Sequence, residues 1–292
     1  MFILAGMLGA LAAGFAAGLL GDGDDNVDVD EAPEGDDIPK PDADPQVQNE
    51  GTSPLDMIVN GAGELLGGDG DDVMTGSAGR DDLTGGDGDD TLYGMGDDDW
   101  LFGDDAPGAA GDDLLFGGEG DDTLVGNGGS DRLFGGLDDD KLFGGDGDDT
   151  LQGGAGHDEL MGSAGDDVLF GGEGDDDLTG GLGDDVLSGG KGADFVHGGA
   201  GDDTLFGSGD DWLDGNDGDD LFSLDPDKDR VTSIGDFTDG DRIEIAVDHP
   251  GAVLTITHDA DGNATLLIDG AAVARVMNAE YLTEADITLI VG

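Results

Sequence analysis

The sequence predicts an all-β fold wound from short stacked repeats, preceded by an apolar helix and closed by a β-rich C-terminal module. Three observations carry this reading. Between Gly67 and Ser223 the chain repeats every nine residues, in 17 units. Position 1 of each unit is glycine, from Gly67 to Gly215, and position 6 is aspartate, from Asp72 to Asp220. Position 8 is always apolar: 14 leucines with Met74, Val196 and Phe222. A fixed period of this kind marks an architecture in which no unit folds alone and neighbours bury one another.

Composition narrows the function. The 292 residues include 72 acidic and 9 basic side chains, a formal net charge of -63, with 61 glycines and no cysteine. Nucleic-acid binding needs a basic footprint, which this charge excludes. Without cysteine there is no disulfide framework and no thiolate metal site. Glycine without proline at every third position excludes collagen. A chain this acidic and glycine-rich does not collapse unaided. Either it is disordered or something cationic neutralises it, and the strict apolar register at position 8 argues for the second.

The elements follow in order. Residues 1–20 hold no charged side chain and are long enough to cross a bilayer as a helix. They contain Gly14-x-x-x-Gly18, a helix-contact pattern. No Lys or Arg precedes the apolar run, as it would in a secretory signal, although Ala10-Leu11-Ala12 resembles a cleavage motif. A retained membrane anchor, a cleaved leader and a soluble packing helix all stay open. Residues 21–56 are acidic, proline-rich and aperiodic, a solvated linker. The array with its lead-in occupies residues 57–223, and residues 224–292 return to ordinary composition.

Each position of the unit has a physical task. Glycines at positions 1 and 4 are expected to adopt φ > 0 in a tight turn. Asp97 and Asp138 replace the position-4 glycine in two units. Such a turn aims backbone carbonyls at one point, and the position-6 aspartate adds a carboxylate there. Oxygen-only ligands in a flexible loop suit a hard cation, and Ca²⁺ takes six to eight of them. Residues 7 to 9 read as a short strand with position 8 inward. Gly103 to Phe116 carries five extra residues around Ala106-Pro107-Gly108, and Gly207 to Asp214 is one short. The insertion should bulge as a surface loop without breaking register. One buried leucine per nine residues does not offset the entropy of ordering them, so metal binding must supply folding energy.

The units Gly171-Gly172-Glu173-Gly174-Asp175-Asp176-Asp177-Leu178-Thr179 and Gly180-Gly181-Leu182-Gly183-Asp184-Asp185-Val186-Leu187-Ser188 resemble the G-G-x-G-x-D-x-U-x nonapeptide of the repeats-in-toxin (RTX) family, the hemolysin-type calcium-binding repeats. The resemblance covers about half the chain. It implies a right-handed parallel β-roll, a Ca²⁺-binding β-solenoid, in which two units make one turn and strands alternate between two parallel sheets. It implies Ca²⁺ ions between loops two units apart, so that Asp122 would share an ion with Asp140 and Asp131 with Asp149. The metal ligands it implies are Asp72, Asp81, Asp90, Asp99, Asp113, Asp122, Asp131, Asp140, Asp149, Asp158, Asp167, Asp176, Asp185, Asp194, Asp203, Asp211 and Asp220. At Asp97 and Asp138 the chain departs from the family's position-4 glycine.

Beyond Ser223, Ala252 to His258 and Ala264 to Asp269 read as two strands around the turn Asp259-Ala260-Asp261-Gly262-Asn263, followed by strands at Ala272 to Met277 and Ile287 to Val291. Ile234 to Ile245 resembles a segment that follows RTX arrays in secreted proteins, which implies a signal read by type I secretion machinery. A cap on the open end of the solenoid is the other task for this module. Asp225, Asp227 and Asp229 mimic the start of an EF-hand loop, but Arg230 stands where its glycine belongs and Asp236 where its glutamate belongs. The chain has no H-E-x-x-H, no G-x-S-x-G and no P-loop, and His157 and His197 fall at variable repeat positions. The expectation is a non-enzymatic, calcium-binding, extracellular or surface-exposed protein with a structural or binding role. Its partners are calcium ions, the secretion machinery and an unidentified surface or matrix component, with no nucleic acid and with membrane contact through residues 1–20. A membrane-tethered adhesion or matrix protein, or a non-catalytic part of a secreted enzyme or toxin system, is the alternative.

Overall fold

The structure, a computed structural model, describes residues 46–48, 56–58, 63–105, 111–226 and 230–291. The apolar helix expected over residues 1–20, most of the linker, and Asp227 and Asp229 lie outside the described residues. Among the described residues every regular element is a strand. None forms a helix long and apolar enough to cross a membrane.

Up to Arg242–Val247 the strands enter two sheets alternately along the chain, and with the C-terminal strands there are fourteen in one and twelve in the other among the described residues. Strand Arg132–Leu137 pairs in parallel with Leu114–Glu119 and Thr150–Ala155. Its successor Lys141–Asp146 pairs in parallel with Thr123–Gly128 and Glu159–Ala164 in the other sheet. Parallel strands ordinarily need a long crossover. Here the crossover is the strand of the opposite sheet with a turn at each end, so two nonapeptides complete one coil, as expected.

The register stacks like on like. Leu133 lies beside Leu115 and Leu151, and Leu142 beside Leu124 and Leu160. The position-8 residues from Met74 to Phe222 are buried in one cluster between the sheets. The long unit keeps this order across residues 106–110, which lie outside the described residues: Leu92 pairs with Leu115, and Leu101 with Leu124. The short unit keeps it as well, with Val196 beside Leu213 and Leu205 beside Phe222.

Two expectations about the unit are corrected. Most strands are six residues long, running from position 7 through position 3 of the next unit, while the expected strand stopped at position 9. The position-1 glycine stays within the strand, and the pairing resumes at position 2, as in Gly136 with Gly154. The positive φ falls at positions 2 and 4, such as Gly145 (121°) and Gly147 (132°), while Gly144 at position 1 is outside that region. Asp97 (67°) and Asp138 (73°) keep the left-handed turn without glycine, which a short polar side chain tolerates.

After Ser223 the same two sheets continue. Thr232–Ile234 and Arg242–Val247 each add in parallel to the last strands of the array. Leu254–His258 and Ala264–Ile268 form the expected antiparallel hairpin, and Ala271–Val276 joins it to Thr232–Ile234. The Asp259 carboxylate nucleates the turn by accepting the N–H groups of Asp261 and Asn263 at 2.9 and 3.0 Å. Ile287–Val291 adds in parallel to Arg242–Val247.

Candidate metal centre

Position 6 stands where the turn enters the strand, one residue before the first ladder pair. The aspartate there is anchored through its backbone: the Asp149 carbonyl accepts the Val168 N–H of the next coil at 2.9 Å. Its side chain is therefore drawn into the stack. All seventeen position-6 aspartates are at most 2% exposed.

Their Oδ1 atoms form a ladder from coil to coil. Asp149 Oδ1 accepts the Asp131 N–H at 2.7 Å, and the Asp149 N–H donates to Asp167 Oδ1 at 2.7 Å. Asp122 donates likewise to Asp140 at 2.9 Å. The pairs expected to share an ion are thus brought together, each joined by a backbone-to-carboxylate bond.

The second oxygen is different. From Asp90 to Asp220, with Asp211 excepted, every position-6 Oδ2 is buried with no hydrogen-bond partner. Leaving a buried acceptor unmatched costs about 1–3 kcal/mol, more for a charged one. Each Oδ2 faces the position-1 glycine of its own unit. A Cβ built on Gly144 would run into Asp149 Oδ2 and lie 2.9 Å from the Gly162 carbonyl oxygen of the next coil. One on Gly126 would meet Asp131 Oδ2 and the Gly144 carbonyl at 2.7 Å. Position 1 is glycine because its missing side chain leaves a hollow edged by a carboxylate oxygen and a carbonyl oxygen. The hollow persists beside the two departures from glycine at position 4, where Asp99 and Asp140 keep a donor-free Oδ2.

Electrostatics describe the same deficit. Burial pushes the Asp149, Asp176 and Asp185 carboxyls up to about 8 and Asp140 to about 9, against an ordinary value of 3.8. The ladder N–H groups oppose that rise, and aspartates on adjacent coils add to it. Acceptors face acceptors and positive charge is missing.

Among the described residues no three His, Cys, Asp or Glu side chains converge on one point. Each hollow offers one carboxylate with backbone carbonyls, an all-oxygen set. That set suits a large hard cation with flexible coordination, and lacks the imidazoles or thiolates a transition metal selects. The residues present fit Ca²⁺.

Sequence reasoning missed two features. Position 5 carries a second, exposed ladder running the other way: Asp148 Oδ1 accepts the Asp166 N–H at 3.0 Å, and Asp166 accepts that of Asp184 at 2.9 Å. His157 substitutes there, its Nδ1 accepting the Asp175 N–H at 3.2 Å. The recurrence of aspartate at position 5 was the available signal. Asp241 is also buried and extends the inner ladder, accepting the Asp220 N–H at 3.0 Å. Gly240-Asp241-Arg242-Ile243 had signalled it by repeating the order of positions 5 to 8. Of the EF-hand-like set, Asp225 and Asp236 are exposed. Burial pushes the Asp220 and Asp241 carboxyls up, and the Asp236 charge lies near enough to both to add to that rise.

A model of the RTX calcium-binding nonapeptide repeat (4 copies) matches the chain at residues 60–92, 75–105, 107–142, 134–169, 143–178, 179–209 and 207–231. Comparison with curated proteins finds no match. Among solved structures, the chain is similar to the AlgE6R3 subunit of the Azotobacter vinelandii mannuronan C5-epimerase. The two are 23% identical over 52% of this chain and 78% of that one, with a TM-score of 0.19. It is also similar to the extracellular lipase LipA of Serratia marcescens, 18% identical over 78% of this chain and 40% of the lipase, with a TM-score of 0.27.

Proposed function

The chain belongs to the family of RTX calcium-binding nonapeptide repeat proteins, and from that premise we propose that it is a Ca²⁺-dependent structural or binding protein, without catalysis, that folds and acts outside the cytoplasm. The observation that carries this reading is the pair of rows of buried Oδ2 atoms that lack a donor. The ions would be held by position-6 aspartates and by position-1 carbonyls of the coil two units on, such as Asp149 with Gly162. When bound, Ca²⁺ supplies the positive charge and oxygen coordination that the hollows lack.

The chain's own residues do the rest. The Oδ1 ladder orients each carboxylate within the closed coil, and the position-1 glycine keeps the hollow clear. Position 8 gives each coil its apolar contact with the next. Without the ion, aspartates on adjacent coils repel and their buried oxygens stay unmatched, so the array is open when metal-free and closed when loaded. Extracellular calcium modules work at roughly 10⁻⁴–10⁻³ M, far above cytosolic levels. Such a chain stays expanded inside a cell and closes on exit.

Calcium titration followed by circular dichroism tests the reading. Millimolar Ca²⁺ should raise the β signal sharply, and Mg²⁺ should not, because it holds its waters and requires a tight octahedron. Equal folding in both ions would overturn it.

Residues 224–292 are proposed as both the cap of the roll and the address for type I secretion. Support for the cap is that the array's apolar core runs on into Ile234, Ile243, Ile245 and Leu266. Deleting Asp225 to Gly292 should blunt calcium-driven folding and abolish export. A truncated chain that folds as sharply as the full one refutes the cap, and one that is still exported refutes the address.

A further inference from the structure

Three of the buried carboxylates on these ladders are unlike the rest. Asp81 Oδ2 accepts the Ser77 N–H at 2.5 Å, Asp211 Oδ2 that of Ser208 at 2.6 Å, and Asp241 Oδ2 that of Thr238 at 2.6 Å. In each case the loop turns one of its own backbone amides onto the oxygen that is donor-free elsewhere. Serine alone does not cause this. Ser163 occupies the same position in its unit as Ser77, yet it has φ 86° and leaves Asp167 Oδ2 without a partner. Ser77 is outside the positive-φ region, so its N–H is free to point at the carboxylate. At Asp211 the loop is one residue short, and a Cβ added at Gly207 would meet Leu213 with no carboxylate among its nearest atoms. The hollow itself is absent there.

An N–H aimed at a carboxylate oxygen presents its positive end to the place a cation would occupy. It satisfies the buried acceptor and repels the ion by the same geometry. We propose that the loops of Asp81, Asp211 and Asp241 take no cation and that the calcium rows end at them. The inference rests on the calcium reading above and refines which carboxylates serve it.

Their positions give the closure a meaning. The aspartates that lead into the fourteen-stranded sheet run from Asp81 through Asp99, Asp122 and on to Asp194 and Asp211. That row is closed at both ends. The row leading into the twelve-stranded sheet ends at Asp241, closed as well. At Asp81 the Gly76 hollow is still edged by Asp81 Oδ2 and the Gly94 carbonyl, so there the Ser77 amide alone would keep the ion out. Replacing the ion by a backbone amide keeps the last carboxylates satisfied without metal. The C-terminal end, where Asp211 and Asp241 lie close in the stack order, therefore holds its loop geometry before calcium binds, and the array propagates from it.

A crystal structure of the full chain grown in Ca²⁺, with ions located by their anomalous scattering, tests this. Ions are expected in the hollows beside carboxylates such as Asp99, Asp149 and Asp185, with none bonded to Oδ2 of Asp81, Asp211 or Asp241. An ion on any of those three overturns the inference while leaving the calcium reading intact. A chain that binds no calcium anywhere sinks the calcium reading, and this inference with it.

Discussion

Asp149 shows how one side chain divides its labour. Oδ1 is structural, accepting the Asp131 N–H at 2.7 Å, while Oδ2 is buried with no donor. Its neighbour Asp148 carries the same charge but makes one exposed bond, to the Asp166 N–H at 3.0 Å. Removing Asp149 strands a buried N–H, at about 1–3 kcal/mol, and deletes an ion ligand. Removing Asp148 costs about 0.5 kcal/mol or less, as for other surface changes. Asp149→Ala should therefore raise the calcium midpoint for folding well above that of Asp148→Ala. Since the two remove equal charge, mutants that titrate alike would show that charge density alone sets the response. Asp149→Asn sharpens the contrast. It keeps Oδ1 and places an amide donor beside the Gly162 carbonyl, so it should stabilise the metal-free coil while weakening its response to calcium. Circular dichroism in chelator and in calcium reads both effects.

At the scale of the turn and strand, legibility was uneven for physical reasons. Invariant residues announced their roles: position 8 had to be core, and position 6 had to be special. The Oδ1 ladder was not legible, because it joins residues 18 apart through a coil geometry no local pattern encodes. Position 1 was misread because glycine signals two different things, a left-handed φ or a missing Cβ. Gly145 needs the first, with φ 121°, and Gly144 the second. The three self-closed loops escaped for a similar reason, since Ser77 and Ser163 are the same residue at the same position with opposite outcomes. Gly144→Ala tests the reading of position 1. Its methyl would need no left-handed φ but would press on Asp149 Oδ2 and on the Gly162 carbonyl at 2.9 Å, an overpacking cost of about 1–3 kcal/mol, and should exclude the ion at Asp149. The calcium midpoint should rise relative to wild type and to Asp146→Ala, a change at exposed position 3. A Gly144→Ala chain that titrates like Asp146→Ala would mean that the hollow holds no ion.

For the whole molecule, the buried rows make the response to pH opposite to ordinary acid denaturation. The folded coil raises Asp140 to about 9, Asp149, Asp176 and Asp185 to about 8, and Asp158, Asp167, Asp194 and Asp220 to about 6, from 3.8, through burial. The metal-free folded state therefore binds more protons than the unfolded chain across that window. Stability then rises as pH falls from about 9 towards 4, and below 3.8 both states are protonated and the gain stops. Protons and calcium answer the same shortage of positive charge, so in calcium the midpoint concentration should climb as the pH drops. Without metal, the β signal should be larger at pH 4.5 than at pH 8. Lowering the net charge of -63 acts in the same direction, and salt separates the two causes. At 1 M salt the screening length is about 3 Å, which suppresses repulsion between exposed aspartates but leaves buried, desolvated carboxylates largely untouched. A pH gain that persists in 1 M NaCl locates its origin in the buried rows. A gain that vanishes there assigns it to the surface, and the claim that buried carboxylates hold the metal-free coil open fails.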